Sequence, residues 1–199
     1  MPAACEPVVR SYWRSATTCV AAAALALMWA AGPRNAAGNH VSINPPPGNP
    51  SMIALFVESP TGTLAVGFDL SGNPQALGNG VPVAGTPALR VEVGARRGGG
   101  GTKEASVELR ADAPAFLSSP DGFQIPISSI SWTSTPVGSA VPIPAGQFTA
   151  GSQVLGTLPL SSGSTQWMGG QLTFHFANAA VYPGGNYSGT ISFTATFTP

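Results

Sequence analysis

The chain has 199 residues, with 25 Gly, 20 Pro and 8% charged side chains, and its formal charges balance. This length predicts one domain with a sizeable core. The balance of charge excludes the basic footprint of a nucleic-acid binder, and the aliphatic and aromatic content excludes a disordered polymer, so frequent Gly and Pro point to many short strands joined by turns.

Residues 1–38 read as a secretory signal peptide and its cleavage region. Arg10 and Arg14 precede "CVAAAALALMWAAG", an apolar run too short and too rich in Ala for a comfortable membrane span. Small residues permit cleavage after Gly32 or near Ala37 and Gly38, which puts the mature start between residues 33 and 39; the alternative is an uncleaved N-terminal anchor. Both cysteines, Cys5 and Cys19, fall in this leader, so the exported domain has no disulfide although its compartment permits one. A lipidated Cys19 is excluded, because the apolar run follows it instead of preceding it. From residue 39 onward five basic side chains stand against seven acidic ones, a net charge of −2.

Residues 39–50 form a proline-rich linker in which Pro45, Pro46 and Pro47 favour a stiff extended chain. The expected domain is 51–199, an antiparallel, immunoglobulin-like β-sandwich. "MIALFVE" reads as a strand apolar on both faces, and "TGTLAVGFDL" as a second, with Leu64, Val66 and Phe68 alternating against Ala65 and Gly67. In "PALRVEVGARRGGGGTKEASVELRADAP", Leu89, Val91 and Val93 alternate with charges, as do Val107, Leu109 and Ala111. This predicts a β-hairpin with a glycine tip. Like charges directly opposed repel, so the expected register sets Glu92 against Arg110 and Arg90 against Asp112. Further short segments follow to the C-terminus, with Leu172, Phe174 and Phe176 facing one way and Thr173 and His175 the other. Helix is expected to be nearly absent after the leader.

Few residues suggest chemistry. "RRGGGGTK" lacks the Lys-Ser/Thr order and the following helix of a phosphate loop. His40 lies in the linker and His175 on the polar face of a strand, where an exposed or edge-paired imidazole is the ordinary reading, and neither has the partners of a hydrolytic triad. No Cys remains after the leader and no His pair has ligand spacing. Glu92 with Glu104 or Glu108 are the carboxylates to consider for glycoside cleavage, but on the expected hairpin they are solvated partners of arginines. The expectation is therefore a non-enzyme with no cofactor, no metal and no catalytic residue. Trp132, Trp167, Tyr182 and Tyr187 lie in or beside loops and are the candidates for stacking on a sugar or anchoring a partner. For Trp132, within "ISSISWTS" among Ile127 and Ile130, a core position is the ordinary outcome. Asn186-Tyr187-Ser188 matches a glycosylation sequon.

The chain closes on "VYPGGNYSGTISFTATF" and two further residues. This stretch resembles the final strand of secreted bacterial pilin-like domains of the spore coat protein U type, in which a Gly-Xaa-Tyr turn leads into an alternating Thr and hydrophobic strand. The resemblance implies an incomplete sandwich whose terminal strand meets a periplasmic chaperone and whose sheet is completed by another subunit. It also implies that Ile191, Phe193, Ala195 and Phe197 face the core or the partner, and that Gly185 marks the strand's start. Departing from that pattern, the domain has no cysteine and Phe197 stands third from the end. The expected function is that of a secreted, periplasmic or cell-surface structural or adhesive protein, a pilin-like subunit assembled by strand pairing. The alternative is a carbohydrate-binding module that holds a surface glycan with its loop aromatics.

Overall fold

The structure, a computed structural model, describes residues 51–72, 77–98 and 104–198 together with the backbone of Ala21–Leu27. The rest of the leader, the proline-rich linker with His40, and the glycine tip with Lys103 lie outside the described residues.

Thirteen strands are found among the described residues: β1 (Ala21–Leu27), β2 (Met52–Glu58), β3 (Val83–Ala84), β4 (Leu89–Arg96), β5 (Ala105–Ala113), β6 (Phe116–Ser118), β7 (Gln124–Pro126), β8 (Ile130–Pro136), β9 (Val141–Pro142), β10 (Gly146–Gln147), β11 (Gly151–Leu160), β12 (Thr165–Phe176) and β13 (Gly189–Thr198). Helix among these residues is confined to the single 3-10 turn Ile127–Ser129. The protein is all-β. One sheet has the order β1-β13-β5-β11, a second the order β10-β8-β12-β4-β2, and β6 and β7 form a small hairpin. Pairing is antiparallel in every sheet except for the short parallel contact of β9 with β12.

Strand alternation explains how the two large sheets share one core. On β13, Ile191, Phe193 and Ala195 are fully buried; on β5, Val107, Leu109 and Ala111 are fully buried opposite them. The register sets the large Phe193 beside the small Ala111, and Ala195 beside Leu109, so volumes complement each other across the pair. The second sheet supplies Leu55 and Val57 from β2, Leu89, Val91 and Val93 from β4, and Leu172 and Phe174 from β12. All belong to one hydrophobic cluster.

The hairpin expected over 87–114 does not form. β4 pairs with β12 and β2, whereas β5 pairs with β11 and β13, so the two strands belong to different sheets. Alternation tells which face of each strand is apolar, and here the two apolar faces close the core from opposite sides. Each strand is the most completely buried of its sheet and takes a central place, with both edges hydrogen-bonded. The charges that suggested a register are satisfied along their own strands: Arg90 Nη2 lies 2.7 Å from Glu92 Oε2 and Arg110 Nη2 lies 3.0 Å from Glu108 Oε2. Arg90 faces Gln171 and Glu58, and Arg110 faces Val154 and Thr194.

"TGTLAVGFDL" is also not a ladder strand. Its one bridge joins Gly67 to Thr86, yet Leu64, Val66 and Phe68 are buried. The alternation drives side chains into the core without a neighbouring strand along the whole segment.

Candidate functional site

Two features of the sandwich stand out: the edges of β13, and an open cavity at one end. β13 pairs with β5 on one edge, from Ser192 opposite Asp112 to Thr198 opposite Ser106. Its other edge is taken by β1, antiparallel, from Ala21 opposite Ala195 to Leu27 opposite Gly189. The terminal strand is therefore built into the sheet. Ile191, Phe193 and Ala195 point into their own domain's core, and Phe197 packs against it partly buried. The strand begins at Gly189, four residues after Gly185. Tyr187 Oη donates to the Pro183 carbonyl at 2.8 Å and closes the preceding loop, and at Gly189 an added Cβ would meet Leu117 Cδ2 at 2.7 Å.

The four candidate aromatics fall in three places. Trp132, on β8, is 5% exposed; its Nε1–H donates to the Pro144 carbonyl at 2.8 Å and its ring lies 4.7 Å from that of Phe148. With its polar group bonded and its ring covered, it is a core residue. Trp167, near the start of β12, is exposed and rests on Phe56, ring centroids 6.1 Å apart. Tyr182 and Tyr187 meet at the other end of the same strand, 6.5 Å apart and edge to face. The structure brings the two tyrosines together and does not bring the tryptophans to them.

Those tyrosines line an open cavity of about 320 Å³. Its wall is built from distant segments: Val66 and Phe68 from the irregular stretch after β2, Leu117 and Ile125 from the β6–β7 hairpin, Ile130 from β8, and Phe176 from the end of β12. Rings run along it in sequence, Phe68 to Phe176 at 6.3 Å and Phe176 to Tyr182 at 6.3 Å. No Asp, Glu, Lys, Arg or His is among the described residues that line it. Burial first, and then the negative charge of Asp121, push the Tyr187 hydroxyl above the ordinary tyrosine range.

Asn178 holds the loops at the mouth of this cavity, and sequence reasoning passed over it. It is buried with a left-handed backbone, φ 48°. Its Oδ1 accepts from the Gly78 amide at 3.0 Å, and its Nδ2 donates to Asn79 Oδ1 at 3.0 Å and to the Val81 carbonyl at 3.4 Å. The signal available was its place just after the alternating run of β12, where a short polar side chain tolerates the left-handed region.

The remaining polar candidates stay apart. Glu92 and Glu108 project from the outer faces of different sheets, each beside its arginine, so the core lies between them. His175 sits on β12 between β8 and β3, not at an edge, with Nε2 3.2 Å from Thr133 Oγ1. Among the described residues no group of three or more His, Cys, Asp or Glu side chains could hold a metal ion, and no helix is long and apolar enough to cross a membrane. No family model, curated protein or solved structure matches the chain.

Proposed function

We propose that this chain is an exported structural protein of the cell envelope or extracellular space, a pilin-like subunit whose immunoglobulin-like sandwich is completed by an added strand at the edge of β13. One observation carries the reading. β13 is paired on both edges, and the partner on one of them, Ala21–Leu27, belongs to the segment expected to be the export leader. Removal of residues 1–38 takes that strand away and bares the edge from Gly189 to Ala195. A row of unpaired amides and carbonyls beside an apolar core is a template for another chain. Residues 39–50 are poorly suited to refill the place, because proline donates no ladder hydrogen bond. The replacement strand then comes from a second copy or from a periplasmic chaperone. The glycan-binding alternative has less support, since only two of its four aromatics, Tyr182 and Tyr187, come together.

The test compares residues 39–199 with the full chain by size-exclusion chromatography and hydrogen exchange. The shorter form is expected to associate, with the amides of 189–195 protected only in the associated species. A monomeric 39–199 whose β13 amides are as protected as those of the full chain would sink the reading.

A further inference from the structure

We propose that the cavity between the β6–β7 hairpin and the loop 177–187 is a binding site for an uncharged aromatic small molecule. This inference is independent of strand addition at β13 and survives or fails without it.

Three observations carry it. The first is size and access: about 320 Å³, open to solvent, which is at the lower end of ligand sites and suits a ligand of one or two rings. The second is the lining. Three of its four polar side chains are engaged with the protein: Ser71 donates to Asp69 Oδ1 at 2.7 Å, Asn178 is committed to the Gly78–Val81 loop, and Tyr187 donates to Pro183, which leaves the Tyr182 hydroxyl. Beside the Tyr182 hydroxyl, the described lining residues offer mostly carbon. A charged ligand would lose its hydration with no charged side chain among the described lining residues to receive it, Asp69 and Asp121 standing outside the wall, whereas a sugar would leave most of its hydroxyls unmatched.

The third observation is the ring geometry. Phe68, Phe176, Tyr182 and Tyr187 follow one another along the wall, with successive planes turned by 54°, 52° and 64°. Such a series presents both ring faces and ring edges to the space beside it. Aromatic guests gain from both, through offset and edge-to-face contacts that aliphatic guests do not make. The apolar surface reaches outward at Leu77, a lining residue that is 40% exposed. An apolar rim beside an apolar opening extends the area that a bound ring can cover.

The test titrates the full chain with the uncharged fluorophore N-phenylnaphthylamine. Saturable, blue-shifted emission with one site per chain is expected, displaced by naphthol and not by a malto-oligosaccharide or by decanol. Two variants fill the mouth from exposed positions: Gly184→Trp, where an added Cβ meets nothing within 4 Å, and Ala180→Trp. Each is expected to weaken the fluorophore at least tenfold with an unchanged urea midpoint, while Trp167→Ala at the far end of β12 leaves binding intact. If one filled variant fails to fold, the other carries the comparison. Absence of saturable binding, binding indifferent to the folded filled variant, loss of binding in Trp167→Ala, or displacement by the oligosaccharide or by decanol in place of naphthol would each overturn the proposal.

Discussion

Trp132 lies across Gly146 so closely that a Cβ added to the glycine would stand 2.5 Å from the indole Cζ2. The ring cannot retreat, because its N–H is held by the Pro144 carbonyl and its other face by Phe148. Gly94 has the same relationship with Trp167, also at 2.5 Å, but that ring is exposed and can swing outward. Gly146→Ala is therefore expected to cost about 1–3 kcal/mol, as overpacking does in a filled core, and Gly94→Ala less than about 1 kcal/mol. Urea unfolding followed by tryptophan fluorescence checks both. Equal costs at the two sites would show that Trp132 is free to move.

Phe193 is fully buried at the centre of β13, opposite Ala111. Phe193→Ala is expected to destabilise the domain by about 3–5 kcal/mol, a large part of the whole stability of a domain this size. Phe197, near the strand end and only partly buried, is expected to cost less than half as much when cut to Ala. Thermal or urea unfolding of the two variants gives the ratio, and a ratio near one would mean that the strand end is as tightly enclosed as its middle.

Period-two alternation made much of the fold legible. Ile191, Phe193 and Ala195 face inward as their spacing requires, as do Leu172, Phe174 and Phe176. Alternation does not encode partners, and that is where reading failed: β4 and β5 look like the arms of a hairpin because each has one apolar face, and nothing in either says that the faces oppose across the core. β11 shows a related limit. Its pairing with β5 shifts between Val154 and Gly156, so Leu155 and Leu158 are both buried three residues apart, which a strict two-residue period forbids. The cavity was out of reach for another reason. Phe68, Leu117, Ile125 and Phe176 meet only through the packing of the hairpin on the sheets, and only Tyr182 and Tyr187 could be singled out beforehand as loop aromatics.

Tyr187 gives the alkaline behaviour of this end of the molecule. Its ionisation lies above the ordinary tyrosine value, chiefly because burial disfavours the anion. A group with a raised folded value binds its proton more tightly when folded, so its contribution to stability is full below the unfolded value, about pH 10. That contribution is lost as pH rises through the higher folded value. The neutral hydroxyl also donates to Pro183, and ionisation removes the donor. Ultraviolet titration should show one tyrosine ionising late in the wild type and absent from Tyr187→Phe. The urea midpoint should fall above about pH 10 more steeply in the wild type than in the variant. Parallel slopes would remove Tyr187 from the account.

Asn178 ties together two loops a hundred residues apart in sequence, and two properties of the residue can be separated by substitution. Its side chain satisfies the Gly78 amide and reaches Asn79 and Val81, while its backbone occupies the left-handed region. Asn178→Gly keeps the backbone at ease and removes the side-chain bonds, leaving the Gly78 amide without its acceptor at a cost of about 1–3 kcal/mol. Asn178→Ala removes the same bonds and adds the left-handed penalty of about 1–2 kcal/mol. Ala is therefore expected to be worse than Gly by roughly that second amount, the reverse of the order found in an ordinary strand or helix, where Gly is the costlier residue. Urea unfolding of the pair checks the order. Hydrogen exchange adds the location: in both variants the amides of Gly78 and Gly80, the latter bonded to the Asn178 carbonyl at 2.9 Å, should exchange faster, while those of β5 stay unchanged. Ala no worse than Gly would mean that the loop relaxes out of the left-handed conformation once the side chain is gone, and that the hydrogen bonds alone hold it there.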